Sequence, residues 1–516
     1  MLINCADSQN PRARIVTRIN SRGVAGVSLE VAGPITGMHP GREHQGRPLP
    51  PMREKLHSSL VLLLGRPVDS RLGFEPESVC ITHCPKIHAP TSNQGECSMS
   101  EEVNARPSRR YIALDIHKYY CVVAGVNRDG QVVLQPVRVE HADLEGWLKK
   151  NLQKTDAVVI ESTTNAWHVY DLLEPLAERV VVANPIKVKQ IATARVKTDI
   201  RDTLILARLL AANLVPDVWV PPVHVRQMRQ LLSQRRQLVE THTQILNRMH
   251  SVAHRHHLKH ERGKRFNEQN TGWQKDPSLS KMEQFQLSLE MENRKYLEKQ
   301  IERISLEVGK ICHQKPWSSG MGYIMSLPGF GMITAMTVLA AIGEIERFET
   351  PKKLASYSGL TPGLEQSGTK NRGKGITKEG RRELRWALVE AALQAVKSDP
   401  LMKRRFNELQ KRMHRNQAIV SIAHHLLELI WYVLTRRQPY RGFTQERIAY
   451  KYLSWSWHVK EEARNGLTHQ QFARYYLMKI GLGKELTRIA LDPKHPYRLA
   501  SEAEVLALCP ELRQTE

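Results

Sequence analysis

The chain has 516 residues, of which 41% are hydrophobic and 25% charged, a composition typical of folded globular proteins and too apolar for wholesale disorder. Lysine and arginine number 76 against 52 acidic residues, and the net charge of +24 favours a polyanionic partner such as nucleic acid. No apolar run approaches the roughly 18 residues of a membrane span, and no secretory pattern opens the chain, so neither a membrane protein nor a secreted one is expected. Seven scattered cysteines predict no disulfide framework and favour a reducing, cytoplasmic compartment.

Residues 1–98 differ from the rest of the sequence. They show no sustained period of 2 or 3.6, so we predict an irregular or disordered N-terminal extension. Met99 opens an ordinary polar lead-in to a strand, and we expect it to be the natural start, with read-through of non-coding sequence upstream. Mass spectrometry of the natively expressed N-terminus tests this. Cys80, His83 and Cys84 suggest zinc, but no second ligand pair follows at finger spacing.

Residues 108–215 alternate between short apolar runs and stretches with helical spacing. A hairpin signal stands at Asp129-Gly130, and helices are expected over Trp167–Leu173 and Thr198–Leu210. The expected strands are Tyr111–Asp115, Tyr120–Val126, Gln131–Gln135, Ala157–Glu161 and Arg179–Ala183. Three meandering strands followed by βαβα predict an α/β RNase H-like domain, a mixed sheet flanked by helices.

Acidic residues interrupt these apolar patterns. Asp115 ends the first strand and Glu161 the fourth, and these strands are neighbours in an RNase H-like sheet. Asp199 and Asp202 stand three apart at a helix start, on one helical face. A carboxylate at a buried strand end is costly unless it is paired or binds a cation, and four oxygen donors favour Mg²⁺ or Mn²⁺. The sequence therefore predicts a metal site for phosphate displacement; the alternative is ordinary helix capping and turn formation.

Residues 222–315 have the pattern of two long heptad-type helices. Leu231, Leu238, Ile245 and Val252 are seven apart, and a second apolar series covers residues 297–311. We predict a coiled-coil helical arm with a polar tip near 263–277, and leave open whether its helices pair within the chain or between subunits. A histidine group near the tip is interpreted as a solvated, polyanion-facing end rather than a metal pair: His250, His254, His256, His257 and His260.

Two sets of motifs carry a family resemblance. The four acids stand in ALDIHK, VIEST and KTDIRDTLILARLL, which resemble the DEDD motif of insertion-sequence transposases and recombinases with a RuvC-like domain. MSLPGFGMITAMTVLAAIG and the following FETPKKLASYSGLTPGLEQSGTKNRGKGITKEGRRELRWALVEAA resemble the second conserved domain of the same family. The resemblance runs from about Ser108 to Pro439, outside the N-terminal extension and outside residues 441–516, for which we expect a helical extension of unknown role.

Residues 320–440 are expected to form an α-rich domain. Residues 351–420 carry 16 lysines and arginines against 6 acids, and the loop Glu365–Gly380 contains four glycines. Residue chemistry leaves Ser356, Ser358, Ser367 and Thr369 open as nucleophiles; the resemblance implies Ser367. LPGFG is either a phosphate-binding helix-hairpin-helix turn or a plain interhelical turn. Candidate nucleic-acid-binding residues are Gly329, Gly331, Lys370, Arg372, Lys374, Lys378, Arg381 and Arg382.

The resemblance implies a DNA transposase or recombinase that cuts and rejoins DNA to move a mobile element. It further implies catalytic Asp115, Glu161, Asp199 and Asp202 holding Mg²⁺ or Mn²⁺, a guide non-coding RNA as partner, and a homo-oligomer in a prokaryotic nucleoid. Three alternatives stay open: a Piv-type DNA invertase, a RuvC-like Holliday-junction nuclease that needs no serine, and a non-catalytic nucleic-acid-binding protein. Retaining four mutually repelling carboxylates argues against the last.

Overall fold

A computed structural model describes residues 13–19, 25–31, 110–191, 198–258, 276–367, 370–489, 496–510 and 512. The chain divides into two compact units, Met1–Glu102 and Val103–Glu516. In the first unit, strands β1 (Ala13–Ile19) and β2 (Ala25–Val31) pair antiparallel, where the sequence predicted irregular chain. Each strand has seven residues, too few to give a sustained period. Cys80, His83 and Cys84 lie outside the described residues.

A mixed five-stranded sheet opens the second unit. Its strands are β3 (Arg110–Ile116), β4 (Tyr120–Val126), β5 (Val132–Glu140), β6 (Asp156–Glu161) and β7 (Arg179–Ala183). The order is β5-β4-β3-β6-β7, with an antiparallel meander from β3 to β5 and parallel pairing of β3, β6 and β7. This is the order that the RNase H-like prediction requires, and each predicted strand is present.

Helices cover both faces of this sheet because its central strands are apolar on both sides. They are α1 (Leu144–Asn151), α2 (Ala166–Leu173), α3 (Pro185–Ile191) and α4 (Asp199–Ala211). The apolar residues of α1 and α2 share one core with Ile112 and Leu114. Those of α3 and α4 share a second core with Ala113, on the opposite face. Successive side chains of β3 therefore pack alternately into two separate cores.

Two 33-residue helices, α5 (Val223–Arg255) and α6 (Lys281–His313), follow the sheet. They pair with each other in opposite directions, since Arg248 meets Glu290 at 2.6 Å and His256 meets Glu283 at 2.8 Å. A core of leucine, isoleucine, methionine and valine lies along the pair. The helices therefore pair within the chain; a supercoiled arm or a subunit seam stays a prediction. Most of the predicted polar tip, with His260, falls outside the described residues.

The rest of the second unit is mainly helical. Its elements are α7 (Trp317–Ser326), α8 (Met332–Ile342), α9 (Pro351–Ser358), the hairpin β8 (Pro362–Ser367) and β9 (Lys370–Ile376), α10 (Arg382–Ser398), α11 (Pro400–Gln410), α12 (Arg415–Thr435), α13 (Gln445–Ser456), a 3-10 turn (Glu462–Arg464), α14 (His469–Lys479), the pair β10 (Arg488–Ile489) and β11 (Tyr497–Arg498), and α15 (Glu502–Leu506). One hydrophobic core runs through this region and takes in the start of α5 and the end of α6, which lie together at one end of the helix pair.

This core does not respect the predicted division at residue 440. Tyr452, Trp455 and Tyr476, from the segment expected to be a separate extension, are among its largest fully buried side chains. The Tyr452 hydroxyl donates to Gly322 O at 2.8 Å, and the Trp455 indole donates to Gly309 O at 3.1 Å. The described residues 441–489 and 496–509 are therefore part of the helical domain rather than an appendage.

Helix α12 is long and apolar enough to cross a membrane by length and composition, which the sequence analysis overlooked. Eight of its residues are buried: Ala418, Ile419, Ile422, Ala423, Leu426, Leu427, Ile430 and Val433. They belong to the helical core, with α9, α10 and α11 packed around them. The apolar character of α12 is thus accounted for by burial inside the domain.

The first turns of α5 contact both the sheet domain and the helical domain. Arg226 binds the Asp171 carboxylate of α2 through two hydrogen bonds of 2.7 and 3.0 Å. One turn later, Arg229 donates to Ala340 O and Ala341 O at the end of α8, at 2.6 and 2.9 Å. Two arginines three residues apart therefore connect the two domains.

Candidate active site

Asp115 and Glu161 lie side by side at the ends of two neighbouring parallel strands. The register of β3 and β6 pairs Leu114 with Ile160, so the next residue of each strand is the acid. Ile160 and Leu114 are fully buried, whereas both acids are partly exposed at the strand ends. The sheet thus presents two carboxylates at one edge, as the predicted strand order requires.

Helix α4 brings the third and fourth acids to the same edge. Its N-cap is Thr198, whose hydroxyl accepts from Arg201 N at 3.3 Å, so the capping role considered for Asp199 falls to its neighbour. Asp199 and Asp202 occupy the first turn, where the helix dipole favours negative charge. The Asp199 carboxylate is about half exposed, at 49%. Capping therefore leaves Asp199 available to other partners.

Asp115, Asp199 and a histidine form the tightest group of this site. The Nε2 atom of His117 lies 3.2 Å from Asp115 Oδ2 and 3.2 Å from Asp199 Oδ2. One ligand atom from each of these three residues lies within 4.8 Å of the others. Glu161 and Asp202 are not members of this group, although each makes an interaction of its own.

His117 is the site residue that the sequence analysis missed. It stands in the quoted motif ALDIHK, two residues after Asp115, a spacing that directs alternate side chains of an extended chain to one side. Its Nε2 is buried and has no aligned hydrogen bond to any described residue, despite the two carboxylates beside it. Its carbonyl oxygen is held at 2.9 Å by the His141 ring and at 3.2 Å by the Asn165 amide.

The electrostatics of the site reflect crowding of negative charge. Burial raises the pKa of Asp115; the charge of His117 lowers it, and the carboxylates of Asp199 and Asp202 raise it further. The Tyr120 hydroxyl donates to Asp199 Oδ2 at 3.2 Å, and the Tyr120 ring stacks on His117 at 4.6 Å. The carboxylates of Asp199 and Asp202 thus disfavour negative charge on Asp115.

This donor set fits a divalent cation. Two carboxylates and an imidazole nitrogen without an aligned hydrogen bond converge, and two more carboxylates stand in the same edge region. Oxygen ligands suit Mg²⁺ and Mn²⁺, and a nitrogen ligand is better tolerated by Mn²⁺ than by Mg²⁺. A cation would also relieve the repulsion that raises the pKa of Asp115.

The loop expected around Ser367 is a β-hairpin. Strands β8 and β9 pair antiparallel, with Ser367 opposite Lys370 at the turn end. The side chains of Ser367, Lys370 and Arg372 fall outside the described part of the structure. Lys374 pairs with Glu365 across the hairpin at 2.9 Å. The backbone thus puts Ser367 at the end of a two-stranded projection, in place of the irregular loop that the glycine content suggested.

Other predicted nucleic-acid-binding residues have structural roles. Gly329 has φ +83°, and a Cβ there would meet Ala391 O at 2.0 Å, so α10 packs directly on its backbone. The Gly331 N–H donates to the Thr334 hydroxyl at 3.0 Å and starts α8. Arg382 begins α10. Arg381 lies near Tyr357, where burial raises the pKa of the phenol while Arg381, Arg347 and Arg229 lower it more strongly.

Comparison with known proteins adds two family matches. A model of DEDD transposases of the IS110 type matches residues 112–258, and the model described as "Transposase IS116/IS110/IS902 family" matches residues 321–407. The first match contains Asp115, Glu161, Asp199 and Asp202; the second contains Ser367. Both sets of predicted site residues thus fall inside matched segments.

Individual relatives cover most of their own length. The y4qE protein of Sinorhizobium fredii, named as a transposase, is 26% identical over 366 residues, 69% of this chain and 89% of the relative. The transposase for the insertion sequence element IS1111A of Coxiella burnetii is 27% identical over 342 residues, 64% of this chain and 91% of the relative. The pilin gene-inverting protein of Moraxella bovis is 24% identical over 360 residues, 64% and 98% respectively.

Proposed function

We infer that this chain belongs to the DEDD transposases of the IS110 type, enzymes that recombine DNA, and on that premise we propose how its residues share the work. We propose that it moves a mobile element by cutting and rejoining DNA with an acidic metal site and a serine nucleophile. The observation that carries this proposal is the convergence of Asp115, His117 and Asp199 at the carboxyl edge of the sheet.

In this proposal, Asp115, Glu161, Asp199 and Asp202 hold Mg²⁺ or Mn²⁺, with His117 as a further ligand or as the group that keeps two carboxylates in place. A bound ion would supply Lewis acidity at the phosphate and stabilise negative charge in the transition state. The contacts of the His141 ring and the Asn165 amide with the His117 carbonyl oxygen fix the position of His117. Substituting His141 or Asn165 should weaken metal affinity by about 10–100-fold without removing a carboxylate.

The serine step transfers a phosphoryl group to the protein and then away from it. The Oγ of Ser367 forms a bond to phosphorus, one ester oxygen of the strand leaves, and the hydroxyl proton passes to that oxygen. A DNA hydroxyl later attacks the same phosphorus, and serine is released with its proton restored. Because each step exchanges one phosphate ester for another, strands rejoin without ATP. What supports this role is the matched segment and the projecting hairpin.

A covalent-trapping experiment tests the nucleophile. Denaturing the reaction with labelled DNA should leave a phosphoserine–DNA adduct on the wild type, and Ser367→Ala should lose it. Ser356→Ala is the matched control, because Ser356 is exposed on α9 in the same domain. A normal adduct in Ser367→Ala contradicts the assignment. Hydrolysed junctions with no adduct on any variant would favour a RuvC-like nuclease.

We further propose that a non-coding RNA guides the protein, so that base pairing supplies sequence while the protein contacts the backbone. The net charge of +24 supports a large polyanionic partner. Sequencing RNA that copurifies with the chain, and adding it to a recombination assay, tests this. Recombination that is complete with no RNA present contradicts it.

The second candidate is DNA inversion. A pilin gene-inverting protein aligns with 64% of this chain over nearly its whole length, which favours inversion over cleavage of Holliday junctions or binding without catalysis. Product analysis separates transposition from inversion: transposition gives new insertions, and inversion gives a reversed segment between fixed ends. A homo-oligomer in the prokaryotic nucleoid remains part of the proposal in either case.

A further inference from the structure

A large cleft lies between the helix pair and the C-terminal part of the helical domain. It has a volume of about 1330 Å³ and is walled by α5, α6, the 3-10 turn and α14. This exceeds the roughly 300–1,000 Å³ of a small-molecule site, so its size suits a segment of a polymer. The wall formed by residues 460–479 lies outside both family matches, which end at residues 258 and 407.

Positive charge dominates the lining. Five cationic side chains face the cleft against two acids, Glu307 and Glu462; the cations are Arg303, Lys310, Lys315, Lys460 and Lys479. Lys310 pairs with Glu307 at 3.7 Å. Within the described part of the chain, no carboxylate lies at ion-pair distance from Lys315, Lys460 or Lys479. Three lysines therefore share one cleft without an acidic partner from the described chain.

At the buried edge of the cleft, the surroundings lower the pKa values of two basic side chains. Burial lowers the pKa of Lys479, and the charge of Lys315 lowers it further. Burial also lowers the pKa of His313 to about 4, with Lys479 adding to the effect. The Lys479 amine donates to the Ser318 hydroxyl at 3.4 Å, a neutral partner. An anion in the cleft would remove this electrostatic penalty.

Aromatic and apolar surface accompanies the cations. Tyr296 is 62% exposed on α6, and the Tyr475 ring lies 5.7 Å from the Lys479 amine. Half-buried Leu231, Leu238 and Ile304 line the same space. Aromatic rings that can stack on bases, together with cations that can contact phosphates, are the combination used to bind single-stranded nucleic acid.

We propose that this cleft binds a single-stranded stretch of nucleic acid, with Lys315, Lys460 and Lys479 at its phosphates and Tyr296 and Tyr475 beside its bases. The proposal names a binding surface apart from the carboxylate edge and the Ser367 hairpin, and it does not depend on strand-transfer chemistry. Its occupant is a sugar-phosphate chain, either a guide RNA or an unpaired DNA end.

Salt-dependent binding by the full chain tests the proposal. The probes are a 20-nucleotide single-stranded RNA, a DNA of the same sequence, and the DNA duplex, and the variant is Lys315→Gln with Lys460→Gln, both exposed. Losing two phosphate contacts should reduce the slope of log K against log salt by about 1.4, which is about 25-fold in affinity at 0.1 M salt. The control is Lys150→Gln with Lys299→Gln, two exposed lysines outside the cleft lining.

A reduced salt slope with RNA alone identifies a guide strand as the occupant. A reduced slope with single-stranded DNA alone identifies a DNA end. A reduced slope with both probes shows that the cleft binds the sugar-phosphate backbone common to both. Acetylation of Lys315 and Lys460, followed by mass spectrometry, gives a second readout, since bound strand should protect these amines and not Lys299. Unchanged slopes with all three probes, or unchanged acetylation, overturn the proposal whatever the outcome of the Ser367 adduct experiment.

Discussion

His117 lies between two carboxylates, those of Asp115 and Asp199. Its Nε2 is 3.2 Å from an oxygen of each, and its backbone is fixed by two further side chains. The positions of Asp115 and Glu161 at neighbouring strand ends could be predicted from the sequence, because a charge at the end of an apolar strand is conspicuous. The histidine could not, since a single exposed-looking imidazole after a strand has many ordinary explanations and its role depends on a residue 82 positions later, Asp199.

The substitution Asp115→Asn tests whether Asp115 is a metal ligand or an acid needed for stability. We expect strand cleavage with Mg²⁺ or Mn²⁺ to fall by more than about 100-fold, since a ligand should matter more than the residues behind it. Because burial and neighbouring carboxylates raise the pKa of Asp115, removing its charge should leave thermal stability unchanged or higher. Asp129→Asn, in an exposed turn, is the control. Cleavage that survives, or a large drop in Tm, contradicts the metal-ligand role.

Gly329 tests the two interpretations of the LPGFG turn. With φ +83° and Ala391 O at 2.0 Å from a built Cβ, Gly329→Ala should lower the unfolding free energy by about 2–4 kcal/mol. Gly331→Ala, where no described residue lies within 4 Å of a Cβ, should cost less than about 1 kcal/mol. Urea titration followed by circular dichroism measures both. If Gly329→Ala keeps its stability and loses only DNA affinity, the turn binds phosphate instead.

At the scale of elements, apolar runs specified the strands well. The bounds of β4 and β7 agree with prediction, since a buried parallel or central strand reads as an unbroken apolar stretch. The β8–β9 hairpin was not predicted as strand, because its sequence PGLEQSGTKNRGKGI is polar and rich in glycine and buries little surface of its own. Helix α12 was likewise not singled out, since its histidines interrupt the apolar run in the sequence.

The contact between α13 and the turn after α7 gives a pH dependence. Burial lowers the pKa of Lys451 to about 7, and its amine donates to Met325 O and Leu327 O. Between pH 7 and the ordinary lysine pKa of 10.5, the unfolded chain holds a proton that the folded chain has lost. Stability should therefore rise with pH across this window.

The measurement compares the unfolding free energies of the wild type and of Lys451→Met. The unfolding free energy of the wild type minus that of Lys451→Met should increase from pH 7 to pH 10, because methionine carries no proton in either state. Lys460→Met, an exposed lysine, should show no such trend. A flat difference for Lys451→Met means that its amine keeps its proton when folded.

For the whole molecule, the sequence predicted a helical extension after residue 440, whereas the structure packs aromatic residues of that segment into the core of the helical domain. The family resemblance stops near Pro439, and the basic, aromatic residues beyond it gave no periodic signal for a shared core. In the structure they supply Tyr452, Trp455 and Tyr476 to that core. Which aromatic residues are buried depends on packing between distant elements, and composition alone does not reveal it.

Two tryptophans test this integration. Trp455 is 1% exposed and Trp457 is 63% exposed. Trp455→Ala should lower the unfolding free energy by about 3–5 kcal/mol and expose α7 and α13 to hydrogen exchange together. Trp457→Ala should cost less than about 1 kcal/mol. Equal, small effects would mean that residues 441–516 fold as a separate appendage.

The paired arginines at the start of α5 have a mechanical consequence. Arg226 fastens this helix to the sheet domain, and Arg229, three residues on, fastens it to the end of α8. A helix of 33 residues is about 50 Å long at 1.5 Å per residue. Any rotation that brings the serine hairpin toward the carboxylate edge must strain or break the hydrogen bonds of Arg226 or Arg229. Because the helix is long, a small rotation near Arg226 and Arg229 becomes a large displacement at its far end.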